Sequence, residues 1–218
     1  MAIKVLIFDF DGVIAESVEV KTWAFAELFK GEDPLQVEKI LQYHKAHGGI
    51  SRMVKIRHIY EHILQRPLPL DMFTELCARY AQLVVEQVKN CPFVPGAVEF
   101  LKAHYEQFTC YVVSGTPQEE MWDIVQARGL DMFFKGICGS PQTKDKWVAY
   151  ILAEENCRPG QALVIGDAST DYEAAVANHT HFAARVTPGT EDIFAGLDIK
   201  YKLDDLTGLA NVIERCTS

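Results

Sequence analysis

No run of 18 apolar residues occurs in this chain, so nothing in it reads as a membrane-spanning helix. Cations are scarce: 21 Lys and Arg stand against 30 Asp and Glu, a net charge of −9. With no basic stripe, nucleic acid is excluded as a partner, and an anionic substrate would need cations gathered locally. The six cysteines are scattered, without a C-x-x-C pair or any metal-ligand spacing. Cys77, Cys110 and Cys138 lie in apolar runs and read as small core hydrophobes. The apolar run at the start carries Lys4 and then two aspartates, which is no signal peptide. There is no internal repeat and no low-complexity tract. The expectation is a reduced, cytoplasmic protein, a monomer or weak homo-oligomer, that engages neither membrane nor nucleic acid.

What is present begins at Leu6-Ile7-Phe8-Asp9-Phe10-Asp11-Gly12-Val13. An apolar run, Ile3 to Phe8, ends in two carboxylates spaced i, i+2 and is broken at once by Gly12. In a strand that spacing aims both side chains to one face. The glycine turn places them at a strand's carboxyl end, where open α/β sheets bind ligands. Two carboxylates that close repel unless a cation lies between them or one keeps its proton. The pair therefore reads as a divalent-metal site, as an acid/base couple, or simply as a strand-ending Asp before an Asp-Gly turn.

The 218 residues suit one domain with an insert. Short apolar runs predict strands at Ile3–Phe8, Thr109–Val113, Gly136–Cys138, Ala162–Ile165, His181–Val186 and Lys200–Leu203. Helical patterns fall between them at Ala97–His104, Gln118–Arg128, Asp145–Glu154 and Tyr172–Ala177. Such alternation implies βαβ units in a doubly wound parallel α/β sheet. From about Ser17 to Lys89 it gives way to four amphipathic stripes, led by Trp23, Val37, Met53 and Phe73, the last with Asp71 as a candidate cap. We therefore expect a core of residues 1–16 and 90–218 and an all-helical insert of residues 17–89. The insert enters just after the Asp pair, so it reads as a lid over it, with Glu16-Ser17 and Asn90–Pro95 as hinges. Trp122, Met132, Phe133 and Phe134 read as core rather than interface.

Three further polar clusters follow predicted strands. In Ser114-Gly115-Thr116-Pro117-Gln118-Glu119, Thr116 with Glu119 fits a capping box, leaving the Ser114 hydroxyl free beside Gly115 at a helix start. Lys144, with Lys146 close by, supplies a cation after the third strand. Gly166-Asp167-Ala168-Ser169-Thr170-Asp171 places acids at i, i+4, one in a loop and one in a helix's first turn. Acids, hydroxyl, cation and acids thus fall on successive strand ends facing one crevice.

Together these motifs, D-x-D-G at Asp9/Asp11/Gly12, then Ser114, Lys144 and Gly166-Asp167/Asp171, resemble the haloacid dehalogenase superfamily, in the branch with a helical cap after the first strand. The resemblance spans essentially the whole chain and implies a Rossmann-like fold. It implies Asp9 as a nucleophile that forms an aspartyl-phosphate, and Asp11 as the acid and base, able to carry a proton. Mg²⁺ would be held by Asp9, the Asp11 backbone carbonyl and Asp167. Ser114, Gly115 and Lys144 would grip the phosphoryl oxygens, and Asp171 would orient Lys144 or a metal-bound water. The acid at position 11 distinguishes phosphate-ester chemistry from the superfamily's dehalogenases and phosphonatases. The implied partner is a small phosphorylated metabolite, a sugar phosphate or phosphorylated carboxylate. His47-Gly48-Gly49-Ile50-Ser51-Arg52 is similar to the cap loop of β-phosphoglucomutase and makes a mutase the alternative, with Arg52 gripping a charged group. Against it, Lys21 stands where that mutase has a histidine. Lys21, His44 and His47 are further cap candidates.

Overall fold

Val5–Phe8 is apolar at all four positions and buried on both faces, so it takes the middle of a sheet. In the computed structural model, which describes residues 2–217, this strand (β1) pairs in parallel with Thr109–Pro117 (β2) on one side and Ala162–Gly166 (β4) on the other. Gly136–Ser140 (β3) extends the β2 edge, while His181–Arg185 (β5) and Tyr201–Leu203 (β6) extend the other. The order is β3-β2-β1-β4-β5-β6, all parallel, so the winding reverses between β1 and β4. At that switch the carboxyl ends open into a crevice.

Helices Ala97–His104 (α5), Gln118–Ala127 (α6), Lys144–Glu154 (α7) and Ser169–Ala177 (α8) make the crossovers. Two apolar clusters sandwich the sheet, one around Val5, Ile7, Tyr111 and Val164, the other around Leu6, Phe8, Val112 and Ile165. The second cluster continues without a break into the helical insert through Phe25, Ile40, Ile56 and Tyr80. No described helix is long and apolar enough to cross a membrane.

The insert has four helices: Val18–Leu28 (α1), Pro34–Ala46 (α2), Arg52–His58 (α3) and Leu70–Asn90 (α4). Asp33 starts α2 by accepting from the Leu35 amide at 2.9 Å, with Pro34 in the first helical position. α3 runs on into a π-helical stretch, Ile59–Leu64, which ends at Gln65 with φ 52°. The two linkers pair with each other, Glu16 N to Pro92 O at 2.9 Å and Val94 N to Ile14 O at 3.0 Å. Buried Arg185 braces the first linker by donating to Gly12 O and to both Glu16 carboxylate oxygens. Arg128 braces the second through Val88 O and Cys91 O, stacked on Phe93.

Several expectations change. β2 runs past Val113 to Pro117, because β3 keeps accepting its pairing as far as Ser140. Thr116 therefore lies in a strand, not at a helix cap, and α6 begins at Gln118 without a side-chain cap. Asp71 is in the first turn of α4, whose cap position is Pro69. Trp122 and Met132 are exposed, at 47% and 64%, while Phe133 and Phe134 are buried. Trp23 is exposed and Cys77 only half-buried. A C-terminal helix, Leu209–Thr217 (α9), buries Leu209, Val212, Ile213 and Cys216 and was not expected.

Candidate active site

The pairing of β1 ends at Phe8, and the next amide, Asp9 N, still donates to Ile165 O at 2.9 Å. The chain then turns at Gly12, whose φ of 76° favours glycine. A Cβ at Gly12 would also overlap the Asp167 carboxylate and lie 2.9 Å from a methyl of Val18. Gly12→Ala is thus expected to lower stability by about 2 kcal/mol or more from backbone strain and overpacking. The check is a denaturant melt, in which an unchanged midpoint would contradict this packing.

The turn holds Asp9 at 3% exposure. Its Oδ1 accepts from Phe10 N and its Oδ2 from Lys144 Nζ, both at 2.7 Å. Lys144 opens α7 and donates equally closely, 2.7 Å, to Asp171 Oδ1 in the first turn of α8. Asp171 Oδ2 in turn accepts from Ala168 N at 3.2 Å. Burial works against the Lys144 charge, but the two carboxylates win and hold it above the ordinary lysine range. Of the two nearby lysines, Lys144 is buried in the site and Lys146 is exposed.

Asp167, in the loop after β4, completes a cluster in which oxygens of Asp9, Asp167 and Asp171 lie within 4.8 Å of one another. Burial, then Asp9 and Asp171, push Asp167 well above the usual carboxylate range. Burial and Asp9 raise Asp171 to about 7 despite the pull of Lys144. One lysine does not neutralise three carboxylates, and no hydrogen bond or ion pair engages Asp167 among the described residues. An oxygen-only donor set with surplus negative charge fits a hard divalent cation such as Mg²⁺.

Asp11 turns toward the insert. It accepts from Lys21 Nζ in α1, from Ser17 Oγ at 2.6 Å, and from Ser114 Oγ and Thr116 Oγ1 at 3.3 and 3.4 Å. Burial alone would raise it, but Lys21 and Ser17 hold it below the usual carboxylate range. It is therefore ionised here, not proton-bearing. Ser114 is not free either, since its Oγ also accepts from Thr116 N at 3.1 Å.

The insert closes over these residues. At Gly115 a Cβ would overlap the Gly49 carbonyl, and one on Gly49 would approach Lys144 Nζ to 3.2 Å. Between insert and sheet lies a cavity of about 870 Å³ that reaches Asp9, Asp11, Gly115, Thr116 and Asp167. Arg52 borders it, but both its terminal nitrogens donate to the Glu120 carboxylate of α6, and its guanidinium lies over Tyr80. His44 borders the cavity, while His47 does not line it and packs at a tilt against Tyr43. Sequence reasoning missed Lys55, which is buried on the cavity wall, because a lysine in a helical pattern reads as solvated surface. It also took Thr116 for a cap.

A family model described as haloacid dehalogenase-like hydrolase matches residues 6–185. Solved structures share the fold at low identity. A predicted phosphoglycolate phosphatase from Haemophilus somnus superposes with a TM-score of 0.78 at 18% identity, over 96% of this chain and 97% of its own. A β-phosphoglucomutase from Clostridium difficile gives 0.76 at 17%, over 99% and 97%. A haloacid dehalogenase-type hydrolase from Bacillus subtilis bound to magnesium gives 0.73 at 16%, over 98% and 100%. No curated protein sequence matches the chain.

Proposed function

Because the chain belongs to the haloacid dehalogenase-like hydrolase family, we propose that it is a Mg²⁺-dependent phosphatase. Its substrate is a small phosphate monoester, cleaved through an aspartyl-phosphate on Asp9. The observation that carries this reading is the pairing of buried Asp9 with Lys144 while Asp11 faces the cavity from the next turn. A dehalogenase has no use for the second acid, since a halide leaves without a proton.

Asp9 attacks phosphorus in line, and the ester oxygen departs with a proton from Asp11. Lys21 keeps Asp11 ionised in the free protein, so that proton arrives with the substrate, from a monoanionic phosphate ester. Water then attacks the aspartyl-phosphate, Asp11 takes its proton, and Asp9 is regenerated as inorganic phosphate leaves. Lys144, Ser114 and the Gly115 amide hold the non-bridging oxygens, whose charge the transition state spreads. Asp171 fixes Lys144 in place. Asp9, the Asp11 carbonyl and Asp167 would hold Mg²⁺, with Asp171 beside them; the ion supplies charge neutralisation between carboxylate and phosphate. Residues 17–89 act as a cap that excludes water. A mutase is not favoured: Arg52, the group to grip a second phosphate, is already engaged by Glu120.

The test is phosphate release from about a hundred small phosphorylated metabolites, with Mg²⁺ or with chelator. Turnover of a narrow subset, falling about 100-fold or more on chelation, is the expected result. Silence across the panel, or turnover indifferent to chelator, overturns the reading.

A further inference from the structure

Three of the cations that line the cavity have carboxylate partners, Lys21 with Asp11, Arg52 with Glu120 and Arg185 with Glu16, and a fourth, Lys45, is exposed to solvent. Lys55, in α3, is 3% exposed and bonds no carboxylate. Its Nζ lies 3.0 Å from His44 Nδ1 and donates to His44 O at 3.1 Å, with the Phe25 ring 5.8 Å away. Burial, and then Lys21, bring Lys55 down to about 7, with Asp11 pulling the other way and Lys144 adding to the fall. Burial and Lys55 take His44 to about 3, so the imidazole is neutral, and toward a protonated Lys55 its Nδ1 accepts.

When Lys55 is protonated, two of its three N–H donors go to His44 and the third is unused on a wall shared with Lys21, Tyr80 and Val84. Burial without a counter-charge disfavours the Lys55 ammonium, and a carboxylate that reaches it through the cavity would restore that charge. We infer that Lys55, held in place by His44, binds a carboxylate on the leaving alcohol, so that the substrate is a phosphate monoester with a carboxylate at its far end. This rests on the phosphatase reading and narrows it. One free donor and one charge, walled by Phe25, Tyr80 and Val84, suit a singly charged carboxylate better than a second phosphate, which would ask for Arg52 as well.

The experiment separates binding from turnover. Calorimetry with Mg²⁺ present would compare ω-phosphonocarboxylates of three to six carbons with alkylphosphonates of equal length. In the wild type one carboxylate length is expected to bind at least tenfold more tightly than its alkyl match. In Lys55→Met and in Lys55→Gln that ratio falls to within about twofold, with alkylphosphonate affinity unchanged. Lys55→Gln keeps a donor to His44 O without the charge, and stands in should the Met variant fail to fold. Equal affinity for both series in the wild type, or a preference that survives both substitutions, overturns the inference. The corresponding phosphate esters give the second arm, where loss of Lys55 raises KM for the carboxylated ester at least tenfold and leaves the neutral ester alone. A carboxylate preference in binding with neither ester hydrolysed would uphold Lys55 and sink the phosphatase reading. Hydrolysis of both without preference would do the reverse.

Discussion

Asp9→Asn is expected to yield a folded protein whose Mg²⁺-dependent phosphate release is reduced about 10⁴-fold or more, the scale on which loss of a covalent nucleophile is felt. That is at least about 5 kcal/mol of transition-state stabilisation. The structure makes the substitution a clean one. Asparagine keeps the oxygen that accepts from Phe10 N at 2.7 Å. It gives up the ion pair to Lys144, but Lys144 retains Asp171 at 2.7 Å, and the repulsion that Asp9 exerts on Asp167 and Asp171 is relieved. Stability should therefore change little while chemistry is lost, because a neutral amide oxygen is a poor nucleophile toward phosphorus. Parallel thermal melts and single-turnover assays check both halves. Asp11→Asn supplies the contrast: Asp9 is intact, so the covalent intermediate still forms from an ester with a good leaving group, but its hydrolysis slows. Residual turnover by Asp9→Asn within tenfold of the wild type would remove Asp9 from the nucleophile's role.

The sequence made the sheet and the strand-end polar groups legible because both are local. An apolar run fixes β1, a glycine ends it, and the acids must then lie at the crevice whatever the rest of the chain does. The same logic placed Asp167 in a loop and Asp171 in the first turn of α8. The C-terminal α9 carries its own local signal, Leu209, Val212, Ile213 and Cys216 at helical spacing. What could not be read was pairing over distance. Arg52 meets Glu120 across 68 residues and Ser114 meets Asp11 across 103, and neither partner carries a mark of the other in its neighbourhood. The Thr116 capping box failed because pairing with β3 carried β2 through the residues that would have begun a helix. Lys55 is buried only because α1 and α2 bring Phe25 and His44 against it, a consequence of packing that no pattern within α3 announces.

Lys144→Met is expected to have the second largest effect, and on stability as well as turnover. Lys144 is the one cation, among the described residues, that bonds any of the three clustered carboxylates. Removing it leaves Asp9, Asp167 and Asp171 buried around an apolar side chain, and breaking a buried pair in this way costs about 3–5 kcal/mol. For a chain of this size that is a fall in Tm of about 10 °C. Magnesium should return part of it, since a ligand at 100 times its Kd adds about 2.7 kcal/mol, so the gap to the wild type should narrow as Mg²⁺ is raised. Turnover should not follow stability back. The phosphoryl oxygens have lost a charged donor, a loss of about 10³-fold, and Mg²⁺ on the carboxylate side cannot take the place of an ammonium in α7. Lys146→Met is the control, exposed and two residues on, expected to match the wild type in both measurements. The reverse outcome, with Lys146 sensitive and Lys144 silent, would transfer the phosphoryl clamp to Lys146 and contradict the contacts that Lys144 makes with Asp9 and Asp171.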